Sequence, residues 1–325
     1  MKKRFLLIVL IFITVITMSG CKKDKKNNPP ESEEKTIINI ASLKGPTSIG
    51  LVKLYSDSDE LKTHNMYNYS IYGTADEIST RLIKGELDAA AVPANLAAIL
   101  YKKTEGEIRI AGINTLGVLY ILAKGCAIKS VADLRGTTIY TTGQGTTPEY
   151  TLRHILSQNG INPDKDVKIE FFSEASEVVA KCSEMDSAIM MLPEPYVEVA
   201  LSKDDNLSVA IDTSAEWEDV VTGVIVVSKS FINDKKEAFD QFMNEYKTSV
   251  TFANRSIEEC ADLLEKYDIF KADVAKKAIP KCNVTFITGQ EMSTKLNRYF
   301  SVLYKENPLS LGGTIPDDNV YYIAE

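Results

Sequence analysis

The chain has 325 residues, of which 44% are hydrophobic and 25% charged, with five cysteines and a formal net charge of −8. That length exceeds what one hydrophobic core serves, roughly 250–300 residues, so two domains are expected; the composition excludes wholesale disorder, a collagen-like chain and a multispanning membrane protein. Cysteines this few, with no CxxC pair, exclude a disulfide scaffold and carry no zinc or thioredoxin-like signature, and the body from Thr36, with 29 basic against 41 acidic side chains, lacks a nucleic-acid footprint.

Lys2-Lys3-Arg4, the apolar run from Phe5 to Met18, and small Ser19 and Gly20 before Cys21 make a secretory signal over residues 1–20. A run of fourteen residues is short for a membrane span. Met18-Ser19-Gly20-Cys21 resembles the lipobox of bacterial lipoproteins, with Met where Leu is usual, which implies lipidation of Cys21 and a two-chain anchor. The following residues to 35, KKDKKNNPPESEEK, have no apolar side chain beyond two prolines and read as a polar tether able to reach about 45 Å.

In the body, Thr36 to Ala41 is a β-branched strand that meets turn material at Lys44-Gly45-Pro46-Thr47-Ser48 before apolar Ile49, Leu51, Val52 and Leu54. A second strand, Asn68 to Tyr72, leads through Gly73 to the capping-box pattern Thr74-x-x-Glu77 and a helix with Ile78, Leu82 and Ile83 on one face. Asp88 to Val92 is a short buried strand, and Pro93-Ala94-Asn95 opens the next helix. Alternation in units of about 30 residues predicts largely parallel sheets covered on both faces.

The segment Gly85 to Asn95 is echoed by Ser183 to Pro195: a helix end, an Asp, a strand of small residues, and a helix opened by Pro. Two α/β lobes of similar design follow. Tyr120 to Gly125 and Val221 to Val227 mark two crossings between them, giving lobe 1 as 36–128 plus 223–325 and lobe 2 as 129–222, with C-terminal helices around Phe239–Phe252, Ile257–Tyr267 and Met292–Tyr304.

Candidate binding residues fall at loops and helix starts. Thr141 to Tyr150, TTGQGTTPEY, follows a strand and opens a helix, where unpaired amides carrying about half a positive charge attract anionic or carbonyl groups and glycines admit close approach. Thr147 before Pro148 fits an N-cap, and Thr146-x-x-Glu149 fits a capping box one residue earlier; both registers stay open. A third glycine is lacking, so a dinucleotide fingerprint is absent. Gly45 to Ser48, Pro93 to Asn95 and Pro193 to Pro195 also sit at the carboxyl ends of predicted strands, where open α/β sheets bind ligands. Glu194, framed by prolines, would favour an amine, amidine or cation if it faced the cleft. Trp217 and Tyr120 are candidate aromatic walls as well as core residues.

Catalytic patterns are scarce: the histidines are His64 and His154, and there is no GxSxG, HExxH or Walker loop. No cofactor, metal site or catalytic residue is expected. Cys260 and Cys282 fit either a disulfide or separate buried thiols.

The lipobox, KGPTSIGLVKL, GTADEISTRLIKGELDAAAVPAN, SVADLRGTTIYTTGQGTTPEYTLRHIL and MLPEPYV together resemble the substrate-binding lipoproteins of ABC importers, in the nitrate, sulfonate, taurine and thiamine-precursor branch, over about residues 36–325. The resemblance implies a type II periplasmic-binding-protein-like fold, each lobe a mostly parallel sheet flanked by helices. It also implies a monomer, lipid-anchored on the extracytoplasmic face of the cell membrane, that hands a small solute to a permease with a cytoplasmic ATPase. It would place Thr47, Ser48, Asn95, Gly117, Thr142, Gly143, Gly145, Thr146, Thr147 and Glu194 at the ligand. The solute expected is an amino-bearing heterocycle such as a thiamine-precursor pyrimidine, with sulfonate or nitrate as the alternative. The competing readings are an extracytoplasmic enzyme like the thiamine-pyrimidine synthases, whose cysteine-rich motif is missing here, and an adhesion lipoprotein.

Overall fold

Eleven strands build two sheets in the computed structural model, which describes residues 35–324. The proposed signal, Cys21 and most of the tether lie outside the described residues. The strands are β1 (Ile37–Leu43), β2 (Met66–Tyr72), β3 (Ala89–Pro93), β4 (Ile108–Leu116), β5 (Leu119–Lys124), β6 (Thr138–Thr142), β7 (Lys168–Phe172), β8 (Ala188–Pro193), β9 (Leu207–Asp212), β10 (Val221–Ser228) and β11 (Val284–Ile287). The first sheet runs β11-β4-β10-β3-β1-β2 and the second β7-β6-β8-β5-β9.

Each sheet is parallel only in a three-strand part. β1 pairs in parallel with β2 and β3, and β6 does the same with β7 and β8. The remaining neighbours, β10 beside β3 and β4, β11 beside β4, and β5 beside β8 and β9, are antiparallel. The sheets are therefore mixed where the alternating pattern predicts largely parallel ones. Strand–helix–strand units give parallel pairs because each helix carries the chain back to its starting edge, whereas β5 and β10 pair in the opposite direction. β5 belongs to the second sheet, although the predicted boundary at 128 groups it with the first.

β3, AAAVP, is buried at all five positions, as a strand covered on both faces must be. The helix Ala75–Ile83 buries Ile78 and Leu82, and Ala175–Ser183 buries Val178, Val179 and Cys182. One apolar core is continuous between the sheets, joining Val92, Ile110 and Val224 to Ile139, Leu152 and Ile189. The sheets connect through Gly117-Val118, between β4 and β5, and again on the way into β10. The first connection is braced by Asn283, whose side-chain amide donates to the Gly117 carbonyl at 2.5 Å and whose carbonyl accepts from Leu116 N–H.

Candidate functional site

A cavity of about 490 Å³ opens where strands of both sheets end. From the first sheet its wall takes the loop after β1 (Lys44 to Thr47), the turn after β2 (Gly73 to Asp76) and Pro93. From the second come Thr142 to Gln144 and Thr146 to Pro148 after β6, Phe171 to Ala175 at the end of β7, and Pro193 with Tyr196. Helices begin at Ala75, Thr147 and Ala175 in these same segments. Their first amides lack intrahelical acceptors, so the wall offers hydrogen-bond donors and partial positive charge.

The loop after β6 has one backbone solution. Gly143 and Gly145 both stand at φ +74°, and a Cβ on Gly143 would lie 2.7 Å from Thr146 Oγ1 and 2.8 Å from Pro148 Cγ. Thr146 is the N-cap, placing Pro148 second in the helix. Its hydroxyl does not cap; it donates to the Gly143 carbonyl at 2.7 Å. Glu149 accepts from Gly145 N–H at 2.7 Å and from Arg153 Nε at 2.7 Å, so the reciprocal bond of the predicted capping box lands one residue upstream.

Of the predicted ligand residues, Thr47, Thr142, Gly143, Thr146 and Thr147 line the cavity. Ser48 does not: successive helical residues point about 100° apart, and its hydroxyl meets Ser42 Oγ at 2.7 Å in the core. Asn95 is wholly buried behind the wall, donating to the carbonyls of Gly145 (3.0 Å) and Ser310 (3.2 Å) and accepting from Thr147 Oγ1 at 3.4 Å. Gly145 presents its N–H to Glu149, and Gly117 sits in the inter-sheet connection. Glu194 is fully buried and off the cavity wall, its backbone N–H bonded to Val118 O at 2.9 Å. Burial pushes its carboxyl up to about 7, with the neighbouring Glu198 adding to the rise and Lys281 opposing it.

The ionisable groups on the wall are instead Lys44, Asp76, Glu174 and Tyr196. Lys44, Asp76 and Glu174 have no ion-pair partner among the described residues. Burial raises the Tyr196 phenol to about 12, so it is a neutral hydroxyl. Thr222, at a bulge in β10, brings to the wall a buried hydroxyl oxygen with no hydrogen-bond partner. Phe171 and Phe172 end β7 directly before a helix, as Tyr72 ends β2, and an aromatic residue at such a strand end is the signal that sequence offers for this part of the wall. Trp217 and Tyr120 line nothing; Trp217 is packed between His154 (4.4 Å) and Tyr299 (5.3 Å).

Among the described residues no group of three or more His, Cys, Asp or Glu is placed to hold a metal, and no helix is long and apolar enough to cross a membrane. Cys126, Cys182, Cys260 and Cys282 are all free, the last three buried. The disulfide alternative for Cys260 and Cys282 is thus not the arrangement present.

Two mixed α/β sheets flanked by helices, with a cavity at the strand ends between them, define a two-lobed periplasmic-binding-protein fold. The chain belongs to the NMT1-like family, whose profile matches residues 72–261. Its fold is similar to an ABC transporter protein from Parabacteroides distasonis at 24% identity, with a TM-score of 0.73 over 90% of this chain and 99% of that one. It is similar also to the ligand-binding component of an ABC-type import system from Staphylococcus aureus with zinc bound (15% identity, TM-score 0.75, 89% and 97% covered). The periplasmic aliphatic sulphonate-binding protein SsuA from Escherichia coli follows (15% identity, TM-score 0.72, 90% and 94% covered). No match to the chain is found among curated proteins.

Proposed function

We propose that this protein is the solute-binding component of an ABC importer, a non-enzymatic monomer that closes on a small molecule and presents it to a permease with a cytoplasmic ATPase. The observation that carries the reading is the cavity itself. Its volume suits a small organic solute, it draws walls from both sheets, and it lies where open α/β sheets place ligands. The structural relatives with import-system titles support the same role. Closure would be a hinge motion about the two connections, with lobes close to 36–118 plus 221–324 and 119–220, which moves β5 across the boundary drawn from sequence.

For the solute we propose an amino-bearing heterocycle. Glu194 does not supply the carboxylate for it; Asp76 and Glu174 do, with Phe171, Phe172 and Tyr196 to flank a ring and the helix starts to donate to ring nitrogens or carbonyls. The wall's two carboxylates against one ammonium disfavour a strong anion, although Lys44 with the helix starts gives sulfonate or nitrate a second reading. The residues proposed to touch solute are Thr47, Asp76, Thr142, Thr146, Glu174 and Thr222. Residues 1–34 are proposed to be a signal peptide, a lipidated Cys21 and a tether, holding the body on the extracytoplasmic face of the membrane.

Mass spectrometry of small molecules released on denaturing the protein purified from its own source tests this directly. A stoichiometric amine-bearing heterocycle is expected. If nothing is released and aminopyrimidines, alkanesulfonates and nitrate all fail to bind by calorimetry, the reading falls. Cys21→Ala should move the protein from the membrane to the soluble fraction without changing its melting temperature.

A further inference from the structure

Beyond the cavity, β8 delivers Glu194 into the seam between the second sheet and the segment preceding β11. The carboxyl group is wholly buried and neither oxygen completes a hydrogen bond, although the backbone N–H of Glu198 stands near enough to favour its charged form. Five titratable groups surround it. Glu198 comes from the helix Tyr196–Lys203, Tyr120 from β5, Lys281 and Cys282 from the turn before β11, and Cys260 stands behind Cys282 on the helix Ile257–Lys266. Burial keeps both thiols and the phenol neutral. The charge at this seam therefore comes from two carboxylates and one ammonium: Lys281 Nζ pairs directly with Glu198 and stands 3.9 Å from Glu194 Oε1.

If both carboxylates were ionised, the seam would hold an excess negative charge on a buried group that completes no hydrogen bond, an arrangement that burial penalises. One proton on Glu194 removes the excess and leaves Lys281 to Glu198. The partners come from both sides of the cleft. Glu194 and Glu198 move with the second sheet, and Lys281 and Cys282 with the first. Beside them Tyr196 packs edge-on against Phe270 at 5.2 Å, while the Lys281 side chain stays 47% exposed at the edge of the seam.

We propose that Glu194, Glu198 and Lys281 form a proton-dependent clasp across the seam, in which the closed arrangement keeps a proton on Glu194 and opening the cleft gives that proton to solvent. This rests on the two-lobed binding reading above. The sign follows from the described arrangement, with the partners of both halves together, holding its carboxyl near 7 while a solvated one sits at 4.5. Between those values the closed form binds more protons. The closed-to-open ratio is then highest below pH 4.5, falls by at most tenfold per pH unit up to about 7, and is flat above. A second titratable pair also bridges the halves, His154 Nδ1 to Glu306 Oε1 at 3.0 Å, so the response must be assigned with a variant at Glu194.

Small-angle scattering of the full-length protein from pH 4.5 to 8.5, read beside an infrared titration, tests the clasp. The wild type should expand as pH rises through the window and lose a buried carboxyl band, above 1700 cm⁻¹ on the order of one group, with a midpoint near 7. Glu194→Gln should stay compact and lack the band, and Lys281→Met should be expanded at lower pH than the wild type. A wild type without the band, or a Glu194→Gln protein that expands as the wild type does, overturns the proposal whether or not the variants are less stable. Wild-type scattering that is unchanged across pH despite the band also overturns it. That outcome leaves the binding reading standing, because the released-solute measurement decides that separately.

Discussion

The two sheets share one internal order, β10-β3-β1-β2 in the first and β5-β8-β6-β7 in the second, yet the equivalent strands β3 and β8 end in opposite chemical states. After Pro93 the chain places Asn95, a buried neutral amide whose groups all find partners, Gly145 O and Thr147 Oγ1 on the other half and Ser310 O on its own. After Pro193 it places Glu194, a buried carboxyl whose oxygens find none. A satisfied amide is indifferent to pH and holds the halves in a fixed relation. An unsatisfied carboxyl makes the same kind of junction conditional on a proton. Geometry repeated between the halves therefore does not carry a repeated role, and the difference lies in one side chain at each strand end.

The sharpest break of this contrast is Asn95→Leu, which fills similar space but leaves two carbonyls and a hydroxyl without a donor or acceptor. Each lost partner of this kind costs about 1–3 kcal/mol, with incomplete additivity, so a loss of about 3–5 kcal/mol is expected at every pH. Urea unfolding at pH 5 and pH 8 checks it; a loss that varied strongly with pH would contradict the neutral character assigned to this junction. Next in size is Gly143→Ala. A positive φ and contacts at 2.7 and 2.8 Å with Thr146 and Pro148 should together cost about 2–3 kcal/mol, and solute affinity should fall with it because the same loop walls the cavity.

Glu194→Gln sharpens the other side. Its carboxyl is raised from 4.5 to about 7, so the stability it contributes is full below pH 4.5 and lost as pH rises through 7. The glutamine variant escapes that loss and should be more stable than wild type at pH 8 by on the order of 2 kcal/mol, with little difference at pH 4.5. Thermal melts at the two pH values would show it, and a variant destabilised equally at both would mean that Glu194 acts only by packing.

What was legible in the sequence was whatever local chemistry decides. β3 starts and stops within a residue of the predicted Asp88 to Val92, and the helices at Ala75 and Ile257 begin within a residue or two of their signals, because capping residues and apolar spacing act over one turn. β4 carries no such signal: IRIAGINTL is buried at seven of nine positions and interrupted by Gly112 and Asn114, so it shows neither clean alternation nor a helical face. The antiparallel partners of β3 and β8 lie far along the chain, where no short-range pattern reaches. The site divides the same way. Thr142, Gly143, Thr146 and Thr147 were readable because glycine and helix-start chemistry shape that loop locally. The direction Glu194 takes is decided by Lys281, Cys282 and Glu198 packing on it, and Asp76 and Glu174 count as binding candidates only once the two sheets face each other.

The smallest expected effect tests the cleft mouth, where the halves meet without a clasp. A Cβ on Gly73 would stand 2.6 Å from Glu174 Oε1, nominally tighter than the contact that forbids a side chain at Gly143. The two cases differ in what must yield. At Gly143 the obstacles are a bonded hydroxyl and a proline ring on a backbone already at positive φ. At Gly73 the obstacle is the carboxylate of an exposed glutamate on the opposite half, held only by bonds from Glu177 N–H and Ser176 Oγ at the start of its own helix, and the glycine's own φ lies outside the left-handed region. Gly73→Ala should consequently change stability by no more than about 0.5 kcal/mol, the range of surface substitutions that meet nothing rigid. Because the displaced carboxylate belongs to the other half, the change should appear in solute affinity before it appears in unfolding. A melting temperature lowered as far as in Gly143→Ala would show that the two halves press together rigidly at the mouth, and that closure there is not governed by a movable side chain.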